Sequence, residues 1–302
     1  MNATDPASAP EQPRVVVIGD ALIDEIRADD GTGSEHVGGA ALNVAVGLAV
    51  LGVPATLIAM VGEDAGGVAI RAHLADHGVR LLATRGPFGT SRAVSVRVDG
   101  EPRYTFNEAA QNRRVDFGAA ERAAIAAAPL VVTSCFPLDD AEQTTALRSA
   151  LVDPRERFVI DANPRAAMMH DTAAFRAAFE SLAPEALLVK VGDEDSALLY
   201  EAPLPDVVAR LLGLGTRRVL ATAGSRGASL VASDERVDVP IAELPGPVVD
   251  TMGAGDATLA TVVADVFRGG LPTGAGWTAV LEHAMRVAAA TCRRPGALLV
   301  EP

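Results

Sequence analysis

Short apolar runs alternate with segments of helical period along most of this 302-residue chain. The runs show little alternation of polar and apolar residues, which is typical of strands buried on both faces of a parallel sheet. Helix-period segments lie between them, such as 40–51 and 66–77, each followed by a glycine. This order predicts an α/β protein with a mostly parallel sheet covered by helices on both faces. The predicted strands are 14–18, 55–61, 130–134, 158–161, 187–191 and 218–222.

Composition excludes several classes of function. Hydrophobic residues make up 49% of the chain and charged residues 22%, as in an ordinary globular protein with a sizeable core. A formal charge of -13, from 26 basic and 39 acidic residues, argues against general binding of nucleic acid or anionic membranes. Lys190 is the only lysine, and Val191 follows it, so a Walker A loop, which needs Gly-Lys-Ser or Gly-Lys-Thr, is excluded.

The ends and the cysteines indicate where the protein works. Residues 1–13 are polar, contain Ala and Pro, and lack the apolar core of a signal peptide, so we predict a disordered leader before one domain over 14–302. No apolar run is long enough to span a bilayer. Cys135 and Cys292 lie in apolar contexts, which indicates core thiols in a reduced, cytoplasmic protein.

One segment departs from the α/β rhythm. Residues 90–98 alternate, turn at Asp99-Gly100, and resume the alternation over 103–106, which predicts a β-hairpin. A hairpin inserted among βα units would project from the main sheet and, together with residues 25–37, form a small lid. An antiparallel edge of the main sheet is the alternative.

The segment Gly253-Ala254-Gly255-Asp256 carries the clearest chemistry, because it opens an apolar helix predicted over 257–267. A helix start offers unpaired N–H groups that hold a phosphate or a developing anion. Glycines allow close approach of the backbone, and Asp256 supplies a proton acceptor. An acidic residue that only complements the helix dipole is the alternative, but it leaves the glycines unexplained. We expect the helix start to lower the pKa of Asp256 and keep it ionised.

Polar groups follow other predicted strands as well. Ligands of open α/β sheets bind beyond the carboxyl ends of the strands. Asp20 and Asp24 follow the first strand, and Asp161 and Asn163 lie at the end of strand 158–161. The pair Gly38-Gly39 opens a helix that contains Asn43. An amide inside an apolar helix needs a partner, and a polyol hydroxyl is a candidate.

Two segments, in order, resemble the signatures of the ribokinase (PfkB) family of sugar and nucleoside kinases. Residues 250–256 are similar to the C-terminal signature, and Gly38-Gly39 with Asn43-Val44-Ala45 is similar to the N-terminal one. The similarity runs from about Val15 to the end of the chain. The resemblance implies a three-layer α/β/α fold with a small β-sheet lid, from about 25–37 and 88–111. It also implies ATP-dependent phosphorylation of a hydroxymethyl group of a small sugar.

The resemblance also implies a role for each matching residue. Asp256 would be the base, and the N–H groups of Gly253, Ala254 and Gly255 would form the anion hole. Magnesium would be carried by the nucleotide, with Asp195 acting on it indirectly, and the family also allows a monovalent cation such as K⁺ and a homodimer paired through the lid. The implied sugar ligands are Asp24, Gly38, Gly39, Asn43 and Arg165. The implied ATP ligands are Asn163, Lys190, Asp195, Thr222, Gly224, Ser225 and Gly227.

Within the family, the chain is most similar to fructokinases. Residues 19–24 (Gly-Asp-Ala-Leu-Ile-Asp) resemble their opening motif, and residues 161–165 (Asp-Ala-Asn-Pro-Arg) resemble their Asp-x-Asn-x-Arg. This implies fructose or a related keto-sugar as substrate. Kinases of ribose, nucleosides or 2-keto-3-deoxygluconate are the alternatives.

The departures from the fructokinase pattern keep other functions open. Asp20 replaces Glu, Gly192 replaces Asn or Ser, and Asp195 replaces Glu, so Asp195 would have to reach further toward magnesium and phosphate. Thr258 replaces Phe, and residues 106–111 lack the usual Arg and Asp. A sensor that binds sugar or nucleotide without turnover is therefore an alternative. A nucleotide-dependent oxidoreductase is disfavoured, because its glycine fingerprint belongs after the first strand.

Overall fold

A computed structural model describes residues 12–27, 33–98 and 101–302. Within these residues, nine strands form a large sheet in the order β13-β12-β11-β10-β9-β8-β1-β4-β5. The strands from β11 to β5 in this order run parallel, and β12 and β13 add an antiparallel edge. The strands of the large sheet are β1 (Val15–Gly19), β4 (Ala55–Val61), β5 (Arg80–Arg85), β8 (Val131–Ser134), β9 (Phe158–Asp161), β10 (Leu188–Gly192), β11 (Arg218–Thr222), β12 (Ala228–Ala232) and β13 (Arg236–Val239).

Helices cover both faces of the large sheet, as the alternation of apolar runs predicts. Val15 and Val17 of β1 pack in one apolar cluster, and Val16 and Ile18 pack in another on the opposite face. Helices α1, α2, α10 and α11 contribute to the first cluster, and α4, α5, α7, α8 and α9 to the second. The helices are α1 (Ala40–Val50), α2 (Ala65–Asp76), α3 (Glu108–Gln111), α4 (Ala119–Ala127), α5 (Ala141–Ala150), α6 (Pro154–Arg157), α7 (Thr172–Leu182), α8 (Asp193–Tyr200), α9 (Leu204–Gly213), α10 (Ala254–Gly269) and α11 (Ala275–Thr291). The three-layer α/β/α prediction is confirmed.

A separate four-stranded sheet, named the small sheet below, has the order β3-β2-β6-β7. It consists of β2 (Leu22–Arg27), β3 (Gly33–Gly38), β6 (Ser91–Val98) and β7 (Glu101–Phe106). Strands β6 and β7 pair antiparallel, so the hairpin is confirmed, although its turn at Asp99-Gly100 lies outside the described residues. The alternative, an antiparallel edge of the large sheet, is wrong for this hairpin. The first part of the small sheet begins at Leu22, three residues before the predicted segment 25–37.

The parallel strands bring polar ends to one edge of the large sheet. Gly19 of β1 lies beside Ser134 of β8, Ser134 beside Asp161 of β9, and Asp161 beside Lys190 of β10. Gly192, at the end of β10, pairs with Thr222 at the end of β11. The residues that the sequence singles out at separate strand ends therefore meet along one line.

Three features of the predicted organisation have separate outcomes. Residues 1–11 of the predicted leader lie outside the described residues. Among the described helices, none is long and apolar enough to cross a membrane. Cys135 and Cys292 are both buried and free, as predicted for core thiols.

Candidate active site

The start of α10 has the backbone shape that the glycine motif predicts. Gly253 precedes the helix in the left-handed region, with φ +77°, and a Cβ on Gly253 would overlap the carbonyl of Ala297. Only glycine therefore fits this position without a shift of the backbone. The helix begins at Ala254, three residues earlier than predicted, so Gly255 and Asp256 lie in its first turn. The N–H of Ala254 donates to the carbonyl of Thr251 at 3.3 Å, which leaves it less available to an anion than the sequence implies.

Both oxygens of Asp250 hold this loop in place. Oδ1 accepts a hydrogen bond from the N–H of Met252 at 2.9 Å, and Oδ2 accepts one from the N–H of Gly296 at 3.1 Å. Because one carboxylate accepts hydrogen bonds from two backbone segments, the loop before α10 is held in position. Asp250 thus organises the glycine turn from the side of the C-terminal segment.

Asp256 is buried, with 7% of its surface exposed, and is held by two amides. Asn43 Nδ2 donates to Oδ2 at 2.9 Å, and Asn163 Nδ2 lies 3.4 Å from Oδ1. The expected lowering of its pKa by the helix start is wrong. Burial raises the pKa of Asp256 to about 7, because desolvation and the charge of Asp161 outweigh the Asn43 hydrogen bond and the charges of Lys190 and Arg165.

Within the described part of the chain, the side-chain amide of Asn43 has a hydrogen-bond partner for its nitrogen but not for its oxygen. Its nitrogen bonds Asp256 rather than a free hydroxyl, although the two residues are 213 positions apart. Its oxygen, Oδ1, is buried and has no hydrogen-bond partner among the described residues. A buried amide oxygen without a partner is costly, so a hydroxyl donor from a ligand fits at this atom.

Lys190 forms a buried ion pair next to the same helix start. Its Nζ lies 2.8 Å from Asp161 Oδ1, and the two side chains are 5% and 0% exposed. Burial acts to lower the pKa of Lys190, but the charges of Asp161 and Asp195 outweigh it and raise the pKa, so the ammonium stays protonated. A Cβ on Gly255 would lie 3.6 Å from Nζ. The ammonium therefore faces the first turn of α10, where an anion would sit.

Asp195 does not reach outward as predicted. Its Oδ2 accepts a hydrogen bond from the N–H of Gly192 at 2.7 Å, so the carboxylate folds back onto the start of α8. Burial raises the pKa of Asp195 to about 6, against the lowering effect of Lys190. A Cβ on Gly192 would lie 3.3 Å from Thr222 Oγ1, so the glycine leaves space between the ends of β10 and β11.

The predicted nucleotide turn follows β11. Gly224 begins a short turn with φ +53°, and Gly227 ends it with φ +94°, where a Cβ would overlap the carbonyl of Val239. The N–H of Gly227 donates to the carbonyl of Gly224 at 3.1 Å and closes the turn. Ser225 is exposed and Thr222 is half-buried at the strand end. The turn therefore presents an open face on the same edge of the sheet as Lys190.

Asp24 and the pair Gly38-Gly39 form the side of the site at the small sheet. A Cβ on Gly38 would overlap Asp24 Oδ2, so glycine makes room for this carboxylate. Burial, together with the charge of Asp20, raises the pKa of Asp24 to about 6, and Arg165 opposes the rise. Gly39 adopts φ +114° at the start of α1. The charge of Arg165 acts on both Asp24 and Asp256 and lowers the pKa of each.

Three residues with a place in this site were not among the predicted ligands. Ser134 Oγ donates to Asp161 Oδ2 at 2.9 Å, and Asp161 in turn holds Lys190. Asp20 Oδ1 accepts a hydrogen bond from the N–H of Ala41 at 3.0 Å and caps α1. Asp20 and Asp161 are among the polar residues that the sequence places at strand ends, without a ligand role. Ser134 ends a predicted strand, so the same signal could have found it.

Comparisons with known proteins find a family model and several relatives that this chain matches. A family model described as pfkB family carbohydrate kinase matches residues 12–302. A fructokinase of Rhizobium leguminosarum bv. trifolii is 26% identical over 291 residues, covering 90% of this chain and 85% of the relative. An ATP-dependent 6-phosphofructokinase of Thermoanaerobacterium thermosaccharolyticum is 24% identical over 300 residues, covering 95% and 90%.

Solved structures share the fold. A protein from Escherichia coli, solved in complex with ATP and Mg²⁺, superposes with a TM-score of 0.78 at 22% sequence identity, covering 95% of each chain. At this identity, the likeness shows that the two chains fold alike.

Proposed function

The chain belongs to the pfkB family of carbohydrate kinases, and within that family we propose that it is an ATP-dependent fructokinase or a kinase of a related keto-sugar. The observation that carries this proposal is the buried carboxylate of Asp256, held by two amides at a glycine-opened helix start beside the Lys190 ammonium. A base with a pKa of about 7 next to a site for anions suits the transfer of a phosphoryl group to an alcohol. Fructokinases among the relatives support the sugar class.

In the proposed reaction, transfer of the alcohol proton to Asp256 is coupled to displacement at the γ-phosphorus of ATP. Asp256 accepts the proton of the sugar hydroxymethyl group while the alcohol oxygen bonds the γ-phosphorus of ATP and the bond to the leaving ADP oxygen breaks. Lys190 and the N–H groups at the start of α10, from Gly253 to Gly255, stabilise the charge on the transferring group. Because Ala254 also bonds Thr251, the lysine and the neighbouring N–H groups supply most of this stabilisation.

The nucleotide and sugar sides are assigned to separate groups. Thr222, Gly224, Ser225 and Gly227 would hold the nucleotide at the open turn after β11. Asp24, Gly38, Gly39, the free oxygen of Asn43, and Arg165 would hold the sugar. The small sheet would close over the sugar as a lid and exclude water, which otherwise competes as acceptor.

Magnesium fits this donor set as an ion carried by the nucleotide. Among the described residues, no group of three His, Cys, Asp or Glu side chains could hold a metal ion by itself. The family resemblance assigns Asp195 to it, and this role would fall to its second oxygen, because Oδ2 accepts the hydrogen bond from Gly192. Bound magnesium neutralises phosphate charge during transfer. A monovalent cation near Asp250, the homodimer through the small sheet and the cytoplasmic location stay predictions.

Two measurements test the proposal. Asp256→Asn should lower kcat by about 10²- to 10⁴-fold with little change in sugar KM, because it removes the base and keeps the shape. Asp234→Asn, an exposed carboxylate outside the site, is the control and should keep parental turnover. A coupled assay of ADP release over fructose, ribose, nucleosides and 2-keto-3-deoxygluconate identifies the sugar. Parental kcat in Asp256→Asn, or tight sugar binding without ADP release, would overturn the proposal in favour of another base or a sensor.

A further inference from the structure

Asn163 has a backbone conformation that only a few residue types accept. Its φ is +36°, and among the described residues it is one of four non-glycine positions with positive φ, the others being Cys135, Asp153 and Glu201. Asparagine tolerates the left-handed region better than most residues, but the conformation still costs free energy. In this conformation the side chain lies close to Ser134 of β8 and Asp161 of β9.

The amide of Asn163 lies among three acceptors. Its Nδ2 is 3.4 Å from Asp256 Oδ1, 3.5 Å from Asp161 Oδ2 and 3.3 Å from Ser134 Oγ. An NH₂ group has two hydrogens, so it can donate fully to two of these and must share them among three. Asn163, predicted as a nucleotide ligand, thus lies between the base and the carboxylate that holds Lys190.

The two oxygens of Asp256 are held unequally. Oδ2 accepts a hydrogen bond of 2.9 Å from Asn43, whereas Oδ1 has the contact of 3.4 Å from Asn163. A shorter bond to an ionised acceptor is the stronger one. Oδ1 is therefore the less committed oxygen, and a proton arriving from a hydroxyl goes there at the smaller loss of hydrogen bonding.

We propose that Asn163 is a positioning residue, which holds the proton-accepting oxygen Oδ1 of Asp256 and links the base to the Asp161–Lys190 ion pair. The inference rests on the proposed role of Asp256 as base. Under this proposal Asn163 acts on the base and not on the nucleotide. Its role differs from that of Asn43, whose buried oxygen has no partner among the described residues and is assigned to the sugar.

The charges around Asp256 give this link a consequence. Asp161 on β9 raises the pKa of Asp256, while Asn43 on α1, Lys190 on β10 and Arg165 in the loop after β9 lower it. A phosphate that draws the ammonium of Lys190 toward itself leaves Asp161 less compensated. Asp256 then becomes a stronger base when the nucleotide is bound, and Asn163 keeps Oδ1 of Asp256 in position.

Asn163→Gly is the sharpest test, because glycine accepts φ +36° and removes only the amide. We expect kcat to fall by about 10- to 100-fold, since a base that is loosely aimed loses alignment with the reacting hydroxyl. The KM values for sugar and ATP should change by less than about 3-fold. The acidic limb of the kcat–pH profile should move to higher pH, because a donor to the ionised carboxylate is lost. Asp153→Gly makes the same backbone change at an exposed site with φ +45° and no side-chain capping bond, so its profile should match the parent.

The possible outcomes separate the two proposals. A large rise in KM for ATP with unchanged kcat and unchanged pH limb would return Asn163 to the nucleotide and overturn the inference. Parental kinetics in Asn163→Gly would overturn it as well, while a dead Asp256→Asn variant would leave the kinase proposal standing. Thermal unfolding of both glycine variants shows whether they fold.

Discussion

Ion pairs are buried at the edge of the large sheet and partly exposed in the small sheet. At the edge of the large sheet, Asp161 and Lys190 pair at 2.8 Å with side chains that are almost wholly buried. In the small sheet, Arg92 pairs with Glu35 at 2.7 Å on side chains that are 29% and 55% exposed. A buried charge is costly unless paired, whereas an exposed pair contributes little. The costly buried charges therefore lie at the edge of the large sheet, among the residues proposed for phosphoryl transfer, and the small sheet keeps the Arg92–Glu35 pair at the surface.

Asp24 connects the two regions electrostatically. Asp24 belongs to β2 of the small sheet, yet it lies close enough to Asp20 and Arg165 of the body for their charges to shift its pKa. Asp24 is therefore a residue of the small sheet that interacts electrostatically with residues outside that sheet. Changes at the large-sheet edge should disturb folding and kcat, and changes at Asp24 should disturb sugar capture.

The largest expected effect comes from breaking the buried pair. Asp161→Asn leaves the ammonium of Lys190 buried without its partner, so the free energy of unfolding should fall by about 3–5 kcal/mol. Urea unfolding followed by circular dichroism measures it. Glu156→Gln, which breaks the exposed Arg217–Glu156 pair of 3.0 Å, is the control and should change the free energy of unfolding by less than about 1 kcal/mol. Equal small losses in the two variants would contradict the contrast between buried and exposed charge.

A smaller effect on folding, with a large one on turnover, is expected at the glycine turn. Gly253→Ala should lower kcat by about 100-fold, because the new Cβ overlaps the Ala297 carbonyl and the start of α10 must shift. Gly246→Ala is the matched control in the same loop, since Gly246 has φ +92° but no atom within 4 Å of a new Cβ. It should cost about 1–2 kcal/mol of stability and keep kcat. If both variants lose turnover equally, the strain of positive φ explains the effect and the close approach does not.

The smallest effect separates the two regions by pH. Asp256, with a pKa of about 7, and Asp24, with a pKa of about 6, must both be ionised in the free enzyme, so kcat/KM should rise with pH through both values. At saturating sugar, kcat should retain only the limb that belongs to Asp256. Asp24→Asn should reduce the slope of log kcat/KM below pH 6 from about two to about one. A slope of two that persists in this variant would assign the lower limb to another group, such as Asp195.

The same shift has a consequence for folding. The folded pKa of Asp256, about 7, lies above its ordinary value of 3.8, so the native state binds more protons than the unfolded chain between these values. The contribution of Asp256 to stability is therefore lost as pH rises through about 7. The carboxylate that serves turnover at neutral pH is a cost to the fold.

Most of the fold could be predicted, because apolar period and turn chemistry are local. Strands β4, β9 and β11 have the predicted bounds, and the hairpin of β6 and β7 follows from alternation on either side of Asp99-Gly100. The sequence predicts the start of α10 at residue 257, three residues after the observed start at Ala254. The glycines of this segment favour a turn, but the chain is already helical there. Contacts within the helix outweighed the weak helical propensity of Gly255.

The candidate site could be predicted as a set of residues and not as a set of contacts. Asp256, Asn43 and Asn163 follow from their places near a helix start or a strand end, and Lys190 follows from the resemblance to fructokinases. The sequence did not show that Asn43 bonds Asp256, or that Asp195 folds back to Gly192. Local sequence carries no information on how two strand ends face each other, so the partners of these groups could not be derived.

By itself, the sequence determined the α/β architecture, the glycine-opened helix start and the family, because each depends on residues close together in the chain. Only the tertiary structure decided the raised pKa of Asp256 and its separate contacts with Asn43 and Asn163. The physical reason is that a pKa depends on burial and on charges brought together from β9, β10 and α1. Proximity to a helix start argued for a low pKa, and desolvation in the closed core outweighed it.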